Sequence, residues 1–219
     1  MKAVVVGAKG GIGRVIVEHL RDHEVHYEVT ALDVDECDLR DDASVATALA
    51  GIGGFDVLVH TAGVSRDAVV WKLPVEDWDL VHDVNLRGAF LLMRHAIPIM
   101  RERGGGSIVL IGSINGSRGK RGTSAYSASK AGLIGLMRSV AREVGRFGIR
   151  VNVVEPGWVR TPLTDSLPAQ LREAALAETA LGELVEPADV AEMVAFLASD
   201  RARRITGQVF RVDAGQFIG

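Results

Sequence analysis

Ser113, Tyr126 and Lys130 are residue types that together can move a proton to or from a substrate oxygen. Tyr126 and Lys130 are four residues apart, so a helix places both side chains on one face. A tyrosine hydroxyl has a pKa of about 10 and is a weak base at neutral pH unless a nearby cation, here Lys130, stabilises its phenolate. Ser113 ends an apolar run thirteen residues before Tyr126 and can hydrogen-bond the same oxygen. This is general acid–base chemistry on an alcohol or a carbonyl, although a tyrosine and a lysine at this spacing also form ordinary surface pairs.

A glycine-rich segment near the start of the chain has the composition of a phosphate-binding loop. It follows a run of three valines and reads Gly7-Ala8-Lys9-Gly10-Gly11-Ile12-Gly13. Glycines let the backbone approach a pyrophosphate, whose charge then lies against the free N–H groups of a helix start. The spacing is not the common G-x-G-x-x-G, and no Lys-Ser/Thr pair makes it a nucleotide triphosphate loop. A structural turn is the alternative, but the position between a strand and a helix favours a dinucleotide.

Asp33 stands at the end of the second predicted strand, 20 residues after Gly13. An acidic side chain there accepts hydrogen bonds from a ribose 2′-hydroxyl and repels a 2′-phosphate. Lys9 favours the opposite choice, since a basic residue in the loop can bind a 2′-phosphate. By itself Asp33 is also compatible with a solvated carboxylate. Together with the glycine loop it predicts NAD rather than NADP.

Short apolar runs alternate with longer helix-like segments along the whole chain. The predicted strands are residues 4–6, 28–32, 55–59, 107–111, 149–154 and 208–212, and the predicted helices are residues 12–21, 42–50, 75–101, 124–146 and 187–199. Continuous β-branched runs are typical of strands buried on both faces of a parallel sheet. The alternation predicts right-handed βαβ units and therefore one α/β domain with a Rossmann-like, doubly wound parallel sheet. Ligands bind at the carboxyl edge of such a sheet, where the candidate residues lie.

The composition excludes several classes of protein. The 219 residues are 47% hydrophobic and carry a formal net charge of −3, which disfavours intrinsic disorder and binding to nucleic acid by bulk charge. A single cysteine excludes an internal disulfide and a cysteine-rich zinc module. No run is long and apolar enough to span a membrane, so the expected compartment is the cytoplasm. His19, His23 and His26 have a spacing that metal ligands can have, but a solvated helix face is favoured and no metal is expected.

The order of the motifs resembles the short-chain dehydrogenase/reductase family over essentially the whole chain. Within that family the sequence is most similar to the 3-oxoacyl-acyl-carrier-protein reductase group. The motifs that carry the resemblance are Gly7-x-x-x-Gly11-x-Gly13, Ala62-Gly63, Asn85, Ser113, Tyr126-x-x-x-Lys130 and Pro156-Gly157. The resemblance implies an oxidoreductase that uses NAD or NADP to interconvert a secondary alcohol and a ketone.

The resemblance also implies roles for four catalytic residues. Tyr126 would protonate the carbonyl oxygen in reduction or deprotonate the alcohol in oxidation. Lys130 would lower the pKa of Tyr126 and hold the nicotinamide ribose. Ser113 would polarise the carbonyl, and Asn85 would order a water that links Lys130 to solvent.

Further residues would contact the cofactor if the resemblance holds. They are Gly7, Gly11, Ile12 and Gly13 at the pyrophosphate, with Lys9 in the same loop, Asp33 at the adenosine ribose, Asp38 and Leu39 at the adenine, Thr61, Ala62 and Gly63 near the adenosine ribose, Tyr126, Lys130, Pro156 and Gly157 at the nicotinamide end, and Val159 and Thr161 at the carboxamide and phosphates. Residues 162–181, called the lid segment below, would cover the substrate.

The sequence is also compatible with two other functions. One is an NADPH-dependent 3-oxoacyl thioester reductase acting on an acyl-carrier-protein or coenzyme A substrate. The other is a non-catalytic scaffold that binds the cofactor. Arg118, Lys120 and Arg121 could meet the phosphate of such a thioester, but a solvated loop is favoured. The family resemblance further implies a homotetramer or homodimer built through the helices near Asn85 and Ser124.

Three features depart from the family pattern. The usual Asn-Asn-Ala-Gly is His60-Thr61-Ala62-Gly63 here; Thr61 is expected to preserve the turn, and His60 has no evident role. Val6 replaces a threonine whose hydroxyl normally ties the glycine loop to the core. Only four residues separate Asp33 from Asp38, whereas a parallel crossover needs about a dozen. We therefore expect the third strand and its crossover helix to be shortened or absent, leaving six strands with the second at the edge and an open adenine pocket.

Overall fold

Six parallel strands form the sheet that positions the candidate residues. In the computed structural model, which describes residues 1–219, they are β1 (Lys2–Val6), β2 (Glu28–Leu32), β3 (Val57–His60), β4 (Gly106–Ile111), β5 (Ile149–Pro156) and β6 (Val209–Val212). Their spatial order is β2-β1-β3-β4-β5-β6, and every neighbouring pair is parallel. The predicted Rossmann-like α/β fold is confirmed. All carboxyl ends of the strands meet at one edge of the sheet, where ligands bind in such folds.

Nine helices accompany the sheet. They are α1 (Gly11–Asp22), α2 (Asp42–Ile52), α3 (Val75–His82), α4 (Gly88–Glu102), α5 (Ile114–Arg118), α6 (Ser124–Val144), α7 (Pro162–Asp165), α8 (Ala169–Ala177) and α9 (Pro187–Ala198). Helices α1 and α9 pack on one face, and α2, α4 and α6 pack on the other. Alternate residues of β1 enter the two cores, because successive strand side chains point to opposite faces: Val4 lies in one core and Val5 in the other. No helix is long and apolar enough to cross a membrane.

The edge of the sheet at β2 shows where the chain is shortened. Residues 33–37 form a tight turn, closed by a hydrogen bond of 2.8 Å from the Cys37 N–H to the Asp33 carbonyl. The chain then enters α2 at Asp42 and returns across β1 to form β3. The predicted loss of the third strand and its helix is therefore confirmed. Because the turn draws Leu39 into the core, that side chain is buried.

The helix predicted over residues 75–101 is interrupted. A π-helical turn, Asp83–Arg87, joins α3 to α4, and Asn85 lies inside it. The apolar pattern continues through this segment, so periodicity alone does not reveal the extra residue in the turn. Such turns are frequent at functional sites because they re-aim one side chain.

Candidate active site

Three of the four candidate catalytic residues, Ser113, Tyr126 and Lys130, come together at the carboxyl edge of the sheet. Ser113 follows β4 and caps the N-terminus of α5, where its hydroxyl accepts a hydrogen bond of 3.2 Å from the Asn115 N–H. Tyr126 and Lys130 lie on the first two turns of α6. The Lys130 side chain is buried, its Nζ donates to the Ile111 carbonyl at 2.8 Å, and this nitrogen lies 5.7 Å from the centre of the Tyr126 ring.

Burial decides the protonation of this cluster. It lowers the pKa of Lys130 to about 8, because a charged ammonium loses hydration in the interior. Burial also raises the pKa of Tyr126, and hydrogen bonding with the Ser113 hydroxyl opposes that rise only in part. The expected role of Lys130 in lowering the pKa of Tyr126 stays a prediction. At neutral pH the Tyr126 phenol holds its proton, the state required of an acid that protonates a carbonyl.

Asn85 is held by the backbone that follows β3. Its side-chain oxygen accepts from the Val64 N–H at 2.8 Å, and its amide nitrogen donates to the Val64 carbonyl at 3.0 Å. The same nitrogen donates to the Ser129 hydroxyl at 3.0 Å, next to Lys130 on α6. A Cβ at Gly63 would lie 3.3 Å from Lys130 Nζ and 3.4 Å from the Asn85 side-chain oxygen. Three elements therefore meet at Asn85: the π-helical turn, helix α6 and the segment that follows β3.

The glycine loop has the geometry of a cradle for an anion. Gly7 has a φ of +85°, and a Cβ at Gly13 would overlap the Gly7 carbonyl, so both positions require glycine. Helix α1 starts at Gly11, its N-terminus has no side-chain cap, and its free N–H groups face the loop. Thr161, before α7, reaches the same place: a Cβ at Gly11 would lie 2.8 Å from the Thr161 Cβ.

Asp33 lies directly beside this loop. Its carboxylate accepts the Lys9 N–H at 2.8 Å and the Val34 N–H at 2.9 Å. The Lys9 ammonium points to Asp35, with 2.6 Å between Nζ and the carboxylate. Hydrogen bonding to Asp35 raises the pKa of Lys9, so the ammonium stays charged and is matched by an acidic partner.

Asp38 and Leu39, which the resemblance assigns to the adenine, have few groups free to contact a ligand. Arg40 holds the Asp38 carboxylate through contacts of 2.8 and 3.0 Å, and this pairing lowers the pKa of Asp38. The Leu39 side chain is buried in the core, so only its backbone can face a ligand. The residues still fit a bound dinucleotide, because the cradle, the helix N-terminus and Asp33 are all in place.

Comparison with known proteins identifies the family. Residues 17–216 match the family model described as enoyl-(acyl carrier protein) reductase. The chain belongs to the short-chain dehydrogenase/reductase family. It is therefore an NAD(P)-dependent oxidoreductase that acts on a CH–OH group or the corresponding carbonyl.

Several curated relatives are 3-oxoacyl-[acyl-carrier-protein] reductases. The protein of Thermotoga maritima is 44% identical over 76% of this chain and 68% of its own length. The protein of Staphylococcus aureus is 36% identical over 99% of this chain and 98% of its own length, and that of Escherichia coli is 36% identical over 99% and 97%. The alignment with the S. aureus protein extends over 242 residues although this chain has 219, so the relative carries residues without a counterpart here.

One departure from the short-chain dehydrogenase/reductase pattern is compensated within the structure. Val6 lacks the hydroxyl expected before the first glycine, but the Thr61 hydroxyl lies 3.0 Å from the Val6 carbonyl and 2.9 Å from the Gly7 carbonyl. Thr61 thus ties the loop to the end of β3, which is where the sequence expects it to preserve the turn.

The strand β5 leads into the lid segment. Pro156 ends the strand, and Val159 after it is buried and forms a bridge with Val185. A Cβ at Gly157 would lie 2.8 Å from the Gln216 side-chain oxygen, so Gly157 lets the C-terminal loop approach. Helices α7 and α8 form the lid segment itself.

The expectation of a solvated loop is wrong for Arg118. Its guanidinium, at the end of α5, contacts the Glu178 carboxylate at 2.8 Å and the Asn115 side-chain oxygen at 3.2 Å. The Gln216 amide nitrogen donates to the same carboxylate at 2.9 Å. Glu178 caps the end of α8, so these contacts connect the lid to the helix that follows Ser113. Lys120 and Arg121 are exposed as expected.

Sequence reasoning missed Glu178 and Gln216. They are 60 and 98 residues from Arg118 along the chain, and neither belongs to a motif. Only the fold brings them together, so no local signal could have found them.

Proposed function

We propose that this protein reduces the ketone of a 3-oxoacyl thioester, with NADH as its cofactor. The observation that carries the proposal is the protonated Tyr126 beside Ser113 and the buried Lys130, next to a glycine loop that fits a dinucleotide. Relatives that are 36% to 44% identical carry the name of that activity. The exposed leucines of the lid segment, which include Leu163, Leu171 and Leu181, support a substrate with an apolar chain.

Three residues take part in the transfer of a proton to the ketone oxygen. Ser113 hydrogen-bonds the ketone oxygen and polarises the carbonyl. Tyr126 donates its proton to that oxygen as negative charge develops on it. Lys130 keeps a positive charge near the phenolate that remains, which lowers the cost of the transfer. A bound reduced nicotinamide cofactor supplies the hydride to the carbonyl carbon.

The choice of NADH rests on the acidic surroundings of the adenosine ribose site. Asp33, Asp35 and Glu36 cluster at the tight turn after β2, and Asp35 holds the Lys9 ammonium. A 2′-phosphate placed there would meet Asp33 and would have to compete with Asp35 for Lys9. Lys9, the basic residue that favoured NADP in the sequence, is thus already paired with Asp35.

Fluorescence titration with NADH and NADPH tests the cofactor choice. We expect tighter binding of NADH in the unmodified protein and a loss of that preference in Asp33→Asn, because the amide no longer repels a phosphate. Glu36→Gln is a matched control beside the site and should change the preference less. Tighter binding of NADPH by the unmodified protein would show that the acidic cluster does not select the cofactor.

Turnover of acetoacetyl-coenzyme A with NADH tests the reaction itself. We expect Tyr126→Phe to lower kcat by about 10²–10⁴-fold, the range typical of a lost general acid, while NADH binding is retained. A Tyr126→Phe variant that keeps full activity would refute the proton path. Absence of turnover on any ketone or alcohol, with NADH still bound, would favour a non-catalytic scaffold.

We also propose that the protein forms a homotetramer through α4 and α6. Phe90 on α4 is 44% exposed, and it lines one shallow groove together with the half-buried Leu86 and Leu136. The Leu86 side chain packs over Gly132, which lets the two helices present one continuous apolar face. Such a face on a monomer favours association with a second copy.

A further inference from the structure

Gln216 belongs to a loop of residues 213–217, called the C-terminal loop below, and the mechanism above does not use it. Its side chain is buried, and both ends of its amide form hydrogen bonds. The amide oxygen accepts the Trp158 N–H at 2.9 Å, and the amide nitrogen donates to the Glu178 carboxylate at 2.9 Å. Trp158 precedes the lid segment and Glu178 lies near its end. One buried amide therefore joins the two stretches of chain between which the lid extends.

The lid segment has little apolar packing of its own. Of residues 162–181 only Ala175 is buried, and all five leucines of the segment are exposed. A segment with few buried contacts opens at a low cost in free energy. Its position therefore depends on the polar contacts at its two ends. Thr161 caps α7 at the first end, and the C-terminal loop contacts the other.

The backbone of the C-terminal loop is shaped to receive the end of the lid. The Ala214 carbonyl accepts the N–H groups of Ala180 and Leu181 at 3.0 and 3.1 Å. Ala214 has a φ of +53°, which is unfavourable for a residue with a side chain, and the Asp213 carboxylate supports this bend by accepting the Gly215 N–H at 3.0 Å. A Cβ at Gly215 would lie 2.6 Å from the Ala180 Cβ, so glycine lets the lid approach.

An amide is the side chain that suits both partners of Gln216. The Trp158 backbone N–H can only donate and the Glu178 carboxylate can only accept, so a group that joins them needs one acceptor and one donor. A glutamate lacks the donor and a lysine lacks the acceptor. The Glu178 oxygen that accepts from Gln216 also accepts from Arg118 at 2.8 Å, on the helix that follows Ser113. The amide thus completes a contact between the lid and the catalytic side of the sheet.

We propose that Gln216 is a positioning residue for the substrate: by joining Trp158 to Glu178 it holds the lid segment over the site, where the leucines of the lid meet the acyl chain of the thioester. This inference rests on the proposed function, because the lid has an acyl chain to cover only if the protein binds one. Gln216 acts through the lid and not on the ketone. Its loss should therefore weaken substrate binding far more than it slows the chemical step.

Steady-state kinetics of Gln216→Met with acetoacetyl-coenzyme A and NADH test this role. Methionine is similar in length to glutamine but lacks the amide. We expect KM for the thioester to rise about tenfold, as for a lost hydrogen bond to a charged group, and kcat to change by less than about twofold. Gln208→Met changes an exposed glutamine before β6 and should leave both constants unchanged. A fall in kcat at unchanged KM, or constants equal to those of the unmodified protein, would overturn the proposal.

A double-mutant cycle with Glu178→Ala shows whether Gln216 acts through Glu178. If the two side chains form one contact, that contact can be lost only once. We therefore expect KM of the double variant to rise clearly less than the product of the two separate rises. A rise equal to that product would mean that the two residues act independently, and it would refute the bridge.

Hydrogen–deuterium exchange of the protein without substrate follows the lid directly. In Gln216→Met we expect the amides of α8 to exchange about tenfold faster and those of α6 to be unchanged. Gln216→Leu takes its place if Gln216→Met does not fold. Normal turnover together with unchanged exchange of α8 refutes only the role of Gln216. Faster exchange of α8 in a protein that turns over no 3-oxoacyl thioester supports the hold on the lid and refutes the proposed substrate.

Discussion

Lys130 is the residue whose charge the reaction depends on most. Its burial lowers its pKa to about 8, so it is charged below that pH and neutral above it. For reduction we expect kcat/KM to be level at acidic pH and to fall as the pH rises through this value, because the phenolate of Tyr126 then loses its counter-charge. A pH profile of the steady-state rate from pH 6 to pH 10 measures this. In the Lys130→Met control we expect a rate lower by about 10²-fold or more and no limb in this range.

The Thr61 hydroxyl ties the glycine loop to the end of β3. Removing its hydroxyl in Thr61→Val frees two carbonyls of the glycine loop, and we expect a loss of about 1–2 kcal/mol in the free energy of unfolding together with weaker NADH binding. Adding Val6→Thr to that variant returns a hydroxyl at the family's usual position. It should recover part of the lost stability and part of the lost affinity for NADH. Chemical denaturation and NADH titration measure the two effects. Equal stability of Thr61→Val and the unmodified protein would show that the tie contributes nothing.

At the scale of single elements, the sequence predicts the strands and the long helices well but misses the π-helical turn. Short apolar runs identify every strand of the sheet. The central strands β1, β3 and β4 are mostly apolar because both of their faces are buried, whereas the edge strands β2 and β6 are only partly buried. Ser113, Tyr126 and Lys130 are found because their spacing is local. The turn at Asp83–Arg87 depends instead on the bond between Asn85 and the backbone of Val64, 21 residues away. The contacts of Arg118 with the lid are missed for the same reason.

The lid segment is the element whose motion we expect to control substrate binding. Its end is tied to α5 by the contact of 2.8 Å between Glu178 and Arg118. Glu178→Gln keeps the shape but removes the charge, so the closed position should lose about 1 kcal/mol and the KM for the thioester should rise about fivefold, with a smaller change in kcat. Glu173→Gln on the same helix lacks such a partner and serves as the matched control. Steady-state kinetics distinguish the two, and an identical KM in both variants would argue against the tie.

The chain lacks the third strand and its crossover helix, yet Ser113, Tyr126 and Lys130 still lie at the carboxyl edge of the sheet. The length of the loop after Asp33 is enough to predict the missing strand, because four residues cannot form a crossover. The edge strand β2 then ends in a tight turn at which Val34 is 57% exposed. We therefore expect an adenine pocket that is more open than a seventh strand would make it. Binding of the dinucleotide should therefore depend chiefly on the contacts of the glycine loop with the pyrophosphate and on the contacts with the ribose.

The proposed homotetramer predicts the mass of the protein in solution. An interface across α4 and α6 is isologous, so each copy buries the same Phe90 against its neighbour. Light scattering should give a mass about four times that of the 23.4 kDa chain. Phe90→Glu places a charge in the centre of that face and should yield smaller species, whereas Val25→Glu, beyond α1 on the other side of the sheet, should leave the mass unchanged. A monomeric mass for the unmodified protein at micromolar concentration would refute the assembly, and loss of the tetramer in both variants would show that Phe90 is not its centre.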